Sequence, residues 1–113
     1  MSAITTHVLD TSRGRPAAGM SVMLERRESG GQWTAVGHAK TDADGRAQSL
    51  MPAGAPPPGS YRLTFDTQRY FEGQSIASLY PSVVVIFDVR AGESHYHIPL
   101  LLSPYGYSTY RGT

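Results

Sequence analysis

Four histidines are the residues of this chain best suited to acid–base chemistry or metal binding near neutral pH. His95 and His97 stand two positions apart, so both rings project from the same face if this segment is a β-strand. Such a pair suits a metal ion, which would need a third ligand chosen from His7, Asp10 and Glu93. The alternative is a solvated His95 and a hydrogen-bonded interior His97. We favour it because the chain supplies so few ligands, and we therefore predict no metal site.

The rest of the sequence contains no compact catalytic signature. It has no nucleophile elbow, phosphate-binding loop or dinucleotide fingerprint. The absence of cysteine excludes a thiol nucleophile, a thiolate zinc site and disulfide bonds. The segment Asp42–Gly45 has the first residues of a calcium loop but lacks the third acidic position and the distal glutamate, so it is predicted to be a turn. Any active site must therefore be assembled from residues that lie far apart in the sequence.

Size and charge limit the class of protein further. The chain has 113 residues, which predicts one domain, 1–113, with a real hydrophobic core. Its formal net charge is +1 and the two signs are intermingled, so we expect neither nucleic acid nor a membrane surface as a partner. Only 17% of the residues are charged while seven are tyrosines, a pairing that indicates surface buried against other subunits.

Membrane insertion and export are not expected. The longest apolar stretches, Val83–Phe87 and Ile98–Leu102, are far shorter than the roughly 18 residues that a membrane-spanning helix needs. The first residues, Met1–His7, lack a basic region followed by an apolar core, which is what a secretory signal requires. We therefore expect a cytoplasmic protein.

The elements that must position these residues are mostly short strands. Apolar residues alternate with polar ones in blocks that Gly, Pro, Asp and Ser separate, which is typical of an all-β sandwich. The expected strands are Ile4–Leu9, Met20–Arg27, Trp33–Thr41, a short strand that carries Arg46, Tyr61–Phe65, Val83–Phe87 and His95–Leu102. One short helix is expected between Gln68 and Tyr80, cut by Gly73 and ended by Pro81.

Two segments indicate packing beyond a simple sandwich. Val83–Phe87 is apolar at every position, so both of its faces should be buried, one on the core and one on a helix, a loop or a partner chain. The last residues, Tyr105–Thr113, are aromatic and β-prone to the end, whereas chain termini usually fray. We therefore expect this tail to be tied into a sheet or an interface.

Three blocks of sequence resemble one known family. Residues 95–113, HYHIPLLLSPYGYSTYRGT, closely resemble the C-terminal signature of the 5-hydroxyisourate hydrolases, the transthyretin-related enzymes of urate breakdown. Thr6–Asp10 followed by Gly14–Ala17 resembles the family's N-terminal motif, and Thr41–Arg46 its central motif. The blocks occur in the expected order and spacing over almost the whole chain, which makes a chance match far less credible than for a single short motif.

The resemblance implies both a fold and an assembly. It implies a transthyretin-like sandwich of two four-stranded antiparallel sheets with one short helix, which agrees with the strand pattern. It also implies a homotetramer, whose active sites lie at the dimer–dimer interface around a central channel. Buried interfaces of this kind would account for the scarcity of charge and for the ordered tail.

The resemblance also implies a reaction and its residues. The reaction is hydrolysis of the pyrimidine-ring lactam of 5-hydroxyisourate to 2-oxo-4-hydroxy-4-carboxy-5-ureidoimidazoline, with water as the nucleophile. The family's catalytic residues map to His7, Arg46 and His97, and substrate binding maps to Tyr110 and Thr113. No cofactor is needed because the lactam already hydrolyses slowly on its own. The sequence leaves open which histidine is base and which is acid.

One departure and one alternative accompany the resemblance. The family's terminal tetrapeptide usually ends in serine, but here it ends in Thr113, which keeps the hydroxyl and adds a methyl group. The alternative function is a non-catalytic ligand carrier like transthyretin itself. A carrier channel should be lined with aliphatic groups, whereas this chain has the histidine pair, Arg46 and the Tyr110–Gly112 tail.

Overall fold

In the computed structural model, which describes residues 2–52 and 54–113, two β-sheets pack face to face. Over these residues the strands and the helix are β1 Ile4–Asp10, β2 Arg15–Pro16, β3 Ser21–Arg27, β4 Trp33–Lys40, β5 Arg46–Ala47, β6 Gly59–Phe65, α1 Thr67–Glu72, β7 Val83–Val89, β8 Tyr96–Ser103 and β9 Gly106–Thr109. The all-β prediction with one short helix is confirmed. No helix in the described part of the chain has the length and hydrophobicity to cross a membrane.

The two sheets differ in how their strands pair. The first sheet has the order β2-β1-β8-β9, with β5 also paired to β1. The second sheet has the order β4-β3-β6-β7 and is antiparallel throughout, as predicted. In the first sheet, the strands on either side of β1 differ. Since β8 occupies one edge of β1 along its whole length, β2 and β5 lie end to end on the other edge. This sheet is therefore four strands wide, although it contains five strands.

The sequence-based description of the first sheet, which contains β1 and β8, needs two corrections. Strands β1 and β8 run parallel, from Ile4 opposite Tyr96 to Asp10 opposite Leu102, where an antiparallel pair was predicted. The chain passes through the whole second sheet between these strands, and a parallel pair requires such a long crossover connection. The two-residue strand β2 was also missed, because two residues are too few to show a periodic pattern.

The core lies between the sheets and is built from alternate residues of each strand. Ile4 and Val8 of β1 are fully buried, as are Leu100 of β8 and Leu63 of β6. Removal of such side chains from water is the main stabilisation of a domain of this size. Because alternate residues of β1 and β8 point inward, the intervening residues are presented on the outer face of the same sheet.

The short helix anchors the end of β1. It ends at Glu72, well before Tyr80, because Gly73 cuts the helical pattern as expected. The Tyr70 hydroxyl donates to Asp10 Oδ2 at 2.8 Å, and Asp10 Oδ1 accepts the Ser12 and Arg13 backbone N–H groups. Burial and the Asp10 acceptor raise the pKa of Tyr70. Asp10 is thus fully used in holding the turn after β1.

Strand β7 is not buried on both faces within one chain. Val83 and Val89 are buried, but Val84 and Ile86 are 44% and 59% exposed. Of the three covers that the sequence allowed, neither α1 nor a described loop lies over these side chains, which leaves a partner chain as the remaining prediction. Successive side chains of a strand point to opposite faces of the sheet, so every second residue of an apolar run can still be exposed on the outer face. The run itself does not show whether that face is covered.

The turn before β5 depends on one glycine. Gly45 has φ of +78°, and a Cβ at this position would lie 2.4 Å from the Val8 carbonyl oxygen. The Val8 N–H donates to the Gly45 oxygen at 2.8 Å, and Asp42 Oδ1 accepts the Asp44 and Arg46 backbone N–H groups. The segment is thus a turn, as predicted, and it holds Arg46 directly against β1.

We expect Gly45→Ala to destabilise the protein by about 3 kcal/mol, since it combines positive φ with a clash against backbone. Gly14→Ala is the matched control, because Gly14 also has positive φ, +68°, but a Cβ there meets nothing within 4 Å. The control should cost only about 1 kcal/mol. Urea unfolding of both variants measures the difference, and equal losses would show that the approach to Val8 is unimportant.

Candidate functional site

The predicted catalytic residues lie on the outer face of the first sheet. His7 of β1 stands opposite Arg46 of β5, and Thr5 of β1 stands opposite His97 of β8. Thr5 and His7 are two residues apart on one strand and so share a face, and paired residues on neighbouring strands share it too. The fold therefore brings together His7, Arg46 and His97, which are separated by up to 90 residues in the sequence. Their catalytic roles stay predictions.

His97 is the most constrained of these side chains. Its Nδ1 lies 2.8 Å from the Thr5 hydroxyl oxygen, and the ring is half-buried. Burial lowers the pKa of His97, and the nearby charge of Arg46 and the neighbouring His7 and His95 lower it further. The lowered pKa favours the neutral imidazole near pH 7, and this form can accept a proton or donate one hydrogen bond without first losing a charge.

Arg46 is positioned through its backbone. Its N–H donates to Asp42 Oδ1 at 3.0 Å, and its carbonyl oxygen accepts the Asp42 N–H at 2.9 Å. The residue is half-buried and pairs with His7 across the sheet edge. A guanidinium stays charged at any working pH, so Arg46 supplies a permanent cation beside the two histidines.

The C-terminal tail is bonded to the same strand as His97. The Gly112 N–H donates to the His97 carbonyl oxygen at 2.7 Å, and β9 pairs with β8 over four residues. Arg111 secures this position, because it bonds Glu93 at 3.0 Å and its guanidinium lies 4.2 Å from the centre of the Tyr96 ring. The prediction that the tail is tied into a sheet is confirmed.

The two predicted substrate-binding residues are placed differently. Thr113 directly follows Gly112 and is exposed, so it lies at the edge of the face that carries His97. Tyr110 is 57% exposed and lines a separate surface cavity with Ile86 of β7 and Arg111. Thr113 is thus one residue from the bridge to His97, whereas the cavity that Tyr110 lines includes neither His7 nor His97. Both roles remain predictions.

Two of the three possible third metal ligands, Asp10 and Glu93, are engaged in other contacts. Asp10 accepts from Tyr70 and from the turn after β1, while Glu93 accepts from Tyr96 and Arg111. These two hydrogen bonds are the main cause of the lowered pKa of Glu93. Within residues 2–52 and 54–113, no three His, Asp or Glu side chains converge on one point.

Sequence reasoning missed one residue of this site, Thr5. Its position two residues before His7 places it on the same face of β1, which the alternation could have indicated. Its contact with His97 depends on the parallel register of β1 and β8, and that register has no signal in the sequence.

The lowered pKa of His97 predicts a pH dependence of stability. The unfolded chain binds a proton at His97 more readily than the folded protein does. The contribution of His97 to the free energy of unfolding is therefore complete above the ordinary histidine pKa of 6.5. It is lost as the pH falls through the lower pKa of the folded state. Between pH 7 and pH 5, thermal unfolding should therefore move to lower temperature more steeply for the unmodified protein than for His97→Asn. Parallel slopes would show that folding leaves this pKa unchanged.

Comparison with known proteins gives a consistent family. Residues 4–112 match the family model described as HIUase/Transthyretin family. The 5-hydroxyisourate hydrolase of Salmonella dublin is 44% identical over 110 residues, which are 97% of this chain and 80% of that protein. The crystal structure of sea bream transthyretin in complex with thyroxine superposes with a TM-score of 0.92 at 31% identity, over 98% of this chain and 95% of that one. The structure of Klebsiella pneumoniae 5-hydroxyisourate hydrolase superposes with a TM-score of 0.87 at 36% identity, over 100% of both chains. The ordered motifs, the sandwich and these matches agree, and the chain belongs to the HIUase/Transthyretin family.

Proposed function

We propose that the chain hydrolyses 5-hydroxyisourate to 2-oxo-4-hydroxy-4-carboxy-5-ureidoimidazoline in urate degradation. The observation that carries the proposal is that His97, whose pKa is lowered by burial, lies on the same sheet face as His7 and Arg46. It is supported by the family membership and by relatives at 44% and 36% identity that are named 5-hydroxyisourate hydrolases.

This arrangement fits the hydrolysis of a cyclic amide by water. A base must take a proton from the water as it attacks the ring carbonyl, and a neutral histidine is suited to that near pH 7. The charge that develops on the carbonyl oxygen needs a fixed donor, which Arg46 supplies without any change in its own protonation. The protein thus positions and polarises a lactam that is already reactive, and no cofactor takes part.

The tail completes the site in this proposal. Thr113, in place of the serine usual at this point of the family pattern, orients water or substrate through its hydroxyl. Tyr110 binds substrate from a neighbouring part of the assembly, since within one chain it lies apart from His97.

Gly112→Ala tests whether the tail must approach His97. A Cβ at this position would lie 2.6 Å from His97 Cδ2 and 3.2 Å from Pro99 Cγ, so the tail bridge should open. We expect turnover to fall about tenfold, with little change in unfolding temperature. Gly106→Ala in β9 is the matched control, because the nearest atom to its Cβ is Ser103 Oγ at 3.7 Å. Equal activity of the two variants would remove the tail from the mechanism.

The working form in this proposal is a homotetramer, with sites at the dimer–dimer interface. Support comes from the exposed apolar side chains of β7, Val84 and Ile86, and from the low charge content of the chain. The outer face that carries His7 is open within one chain, and a facing subunit would exclude water from it. Light scattering tests the assembly: a mass of four chains is expected, and an active monomer would contradict an interface site.

A small-ligand carrier is the second candidate, and the TM-score of 0.92 to a thyroxine-bound transthyretin favours it. The ionisable groups on the candidate face argue against it. His7, Arg46 and His97 would have to lose water to bind an apolar ligand, which is costly without matching polar groups. Measurements of ligand binding and of 5-hydroxyisourate turnover separate the functions, because a carrier binds its ligand without turnover and a hydrolase consumes its substrate.

The direct test follows the ultraviolet absorbance of 5-hydroxyisourate, generated in place by urate oxidase, with and without catalytic amounts of the protein. Faster decay that scales with protein concentration is the expected result. Decay at the uncatalysed rate with a correctly assembled protein would refute the hydrolase and leave the carrier to be tested by ligand binding.

We also propose a cytoplasmic location. A substrate that decays on its own is best used in the compartment where it forms, so the enzyme and the reaction that supplies 5-hydroxyisourate should share one. Cell fractionation tests this, and recovery of the protein outside the cytoplasmic fraction would contradict it.

A further inference from the structure

The hydroxyl of Thr5 has a single hydrogen-bond partner in the described part of the chain. Thr5 is 3% exposed, so bulk water does not replace a missing partner. Its oxygen lies 2.8 Å from His97 Nδ1, and the hydroxyl makes no other hydrogen bond to residues 2–52 or 54–113. The direction of this one bond therefore decides whether the buried hydroxyl is satisfied.

Two directions are possible, and only one leaves no buried group unpaired. If Nδ1 carried the proton, it would donate to the Thr5 oxygen, and the hydroxyl hydrogen would be buried without an acceptor. If Nδ1 is bare, the hydroxyl donates to it and both groups are satisfied. In a neutral ring the proton then sits on Nε2, the nitrogen that makes no hydrogen bond to described residues.

We propose that Thr5 fixes His97 as the Nε2–H tautomer, so that His97 donates a hydrogen bond to the carbonyl under attack and His7 is the base. The inference rests on the proposed hydrolysis and assigns the two histidines that the sequence leaves open. Thr5 is a positioning residue, because it acts through His97 and touches no reacting atom.

The proton balance closes with His7 alone as the proton carrier. His7 takes one proton from water while the water oxygen bonds to the carbonyl carbon, and the carbonyl electron pair moves to its oxygen. His97 Nε2–H and Arg46 hold that oxygen. When the carbonyl forms again, the carbon–nitrogen bond breaks and His7 returns its proton to the leaving nitrogen. One water is consumed, and His97 ends with the proton it began with.

The surroundings of His97 favour this state. An imidazolium would carry a proton on Nδ1 as well, and it would face the charge of Arg46 on β5, with His7 on β1 and His95 before β8 also disfavouring a second cation. Burial and these charges favour the neutral ring, while the Thr5 hydroxyl selects between its two tautomers.

Long-range ¹H–¹⁵N NMR of the full-length protein reads the tautomer directly and does not depend on turnover. His97→Asn assigns the signal by removing it. The expected result is a neutral ring protonated on Nε2 at pH 7.5, with a mixture of tautomers in Thr5→Val. A ring protonated on Nδ1 in the unmodified protein, or an unchanged tautomer in Thr5→Val, would overturn the proposal even if the protein is an active hydrolase. If the protein proves not to hydrolyse 5-hydroxyisourate, the NMR spectrum still reports the tautomer of His97, because that measurement does not depend on turnover.

Kinetics supply the second test, with a control on the same strand. Thr6 is also buried, and its hydroxyl donates to the Ile98 carbonyl without touching His97. Thr5→Val should lower kcat at least about tenfold with KM nearly unchanged, because the wrong tautomer of a catalytic histidine is severely impaired. Thr5→Ser should restore the rate to within about threefold. Thr6→Val should leave kcat unchanged, and a matching loss there would trace the effect to the strand and refute a specific role for Thr5.

Discussion

His97→Asn is expected to slow the hydrolysis of 5-hydroxyisourate by about 10²- to 10³-fold, which is the usual loss when one donor to a developing oxyanion is removed. The asparagine amide can occupy the place of Nδ1 and keep a hydrogen bond to Thr5, but it has no group at the position of Nε2. The fold should therefore survive while the donor to substrate is lost. Initial rates of absorbance decay, normalised to folded protein, measure the effect.

His95→Asn is the matched control for this variant. His95 lies two residues away, is exposed, and stays outside the proposed catalytic set. We expect its rate to stay within about twofold of the unmodified protein, since surface substitutions away from a site have small effects. Near-normal turnover of a well-folded His97→Asn protein would remove His97 from the mechanism.

Arg46→Lys is the second substitution with a large expected effect. Lysine keeps the positive charge but replaces a planar fork of donors by a single ammonium group, so it cannot hold two substrate oxygens at once. We expect kcat/KM to fall about a hundredfold. The backbone bonds of residue 46 to Asp42 are unaffected, so the turn should keep its shape.

Arg15→Lys serves as the control for Arg46→Lys. Arg15 lies on β2, along the same edge of β1, but it is exposed and pairs with Asp10 in the sheet register rather than with His7. Its kcat/KM should stay within about twofold of that of the unmodified protein. A wild-type rate for Arg46→Lys would mean that Arg46 has only a structural role.

The sequence predicts the parts of the fold that depend on local patterns. The hairpin of β3 and β4 follows from alternation around Ser29–Gly31, and the short helix follows from its spacing and Gly73. The parallel pairing of β1 with β8 could not be predicted, because it joins strands that no local turn connects. The exposure of Val84 could not be predicted either, since an apolar run does not tell which face has a cover.

The candidate site likewise contains residues that the sequence predicts and one residue, Thr5, that it does not. His7, Arg46 and His97 are found through ordered motifs, each of which is a short continuous segment of the chain. Thr5 stands inside no such pattern, and its role appears only when a residue 92 positions away is placed opposite it. The sequence likewise does not predict that Tyr110 lies apart from His97, because Tyr110 lines a cavity with β7 residues that are distant in the chain.

The parallel β1–β8 pair also sets the order in which the protein can become active. Contacts between segments so distant in the chain close late in folding, because the loop between them must lose its freedom first. Until β8 has been synthesised and has docked, β1 lacks its neighbour and His7 has no His97 beside it. A nascent or refolding molecule that has formed only the second sheet is therefore inert, and in the proposed tetramer turnover returns only after β1 and β8 have paired and the subunits have assembled.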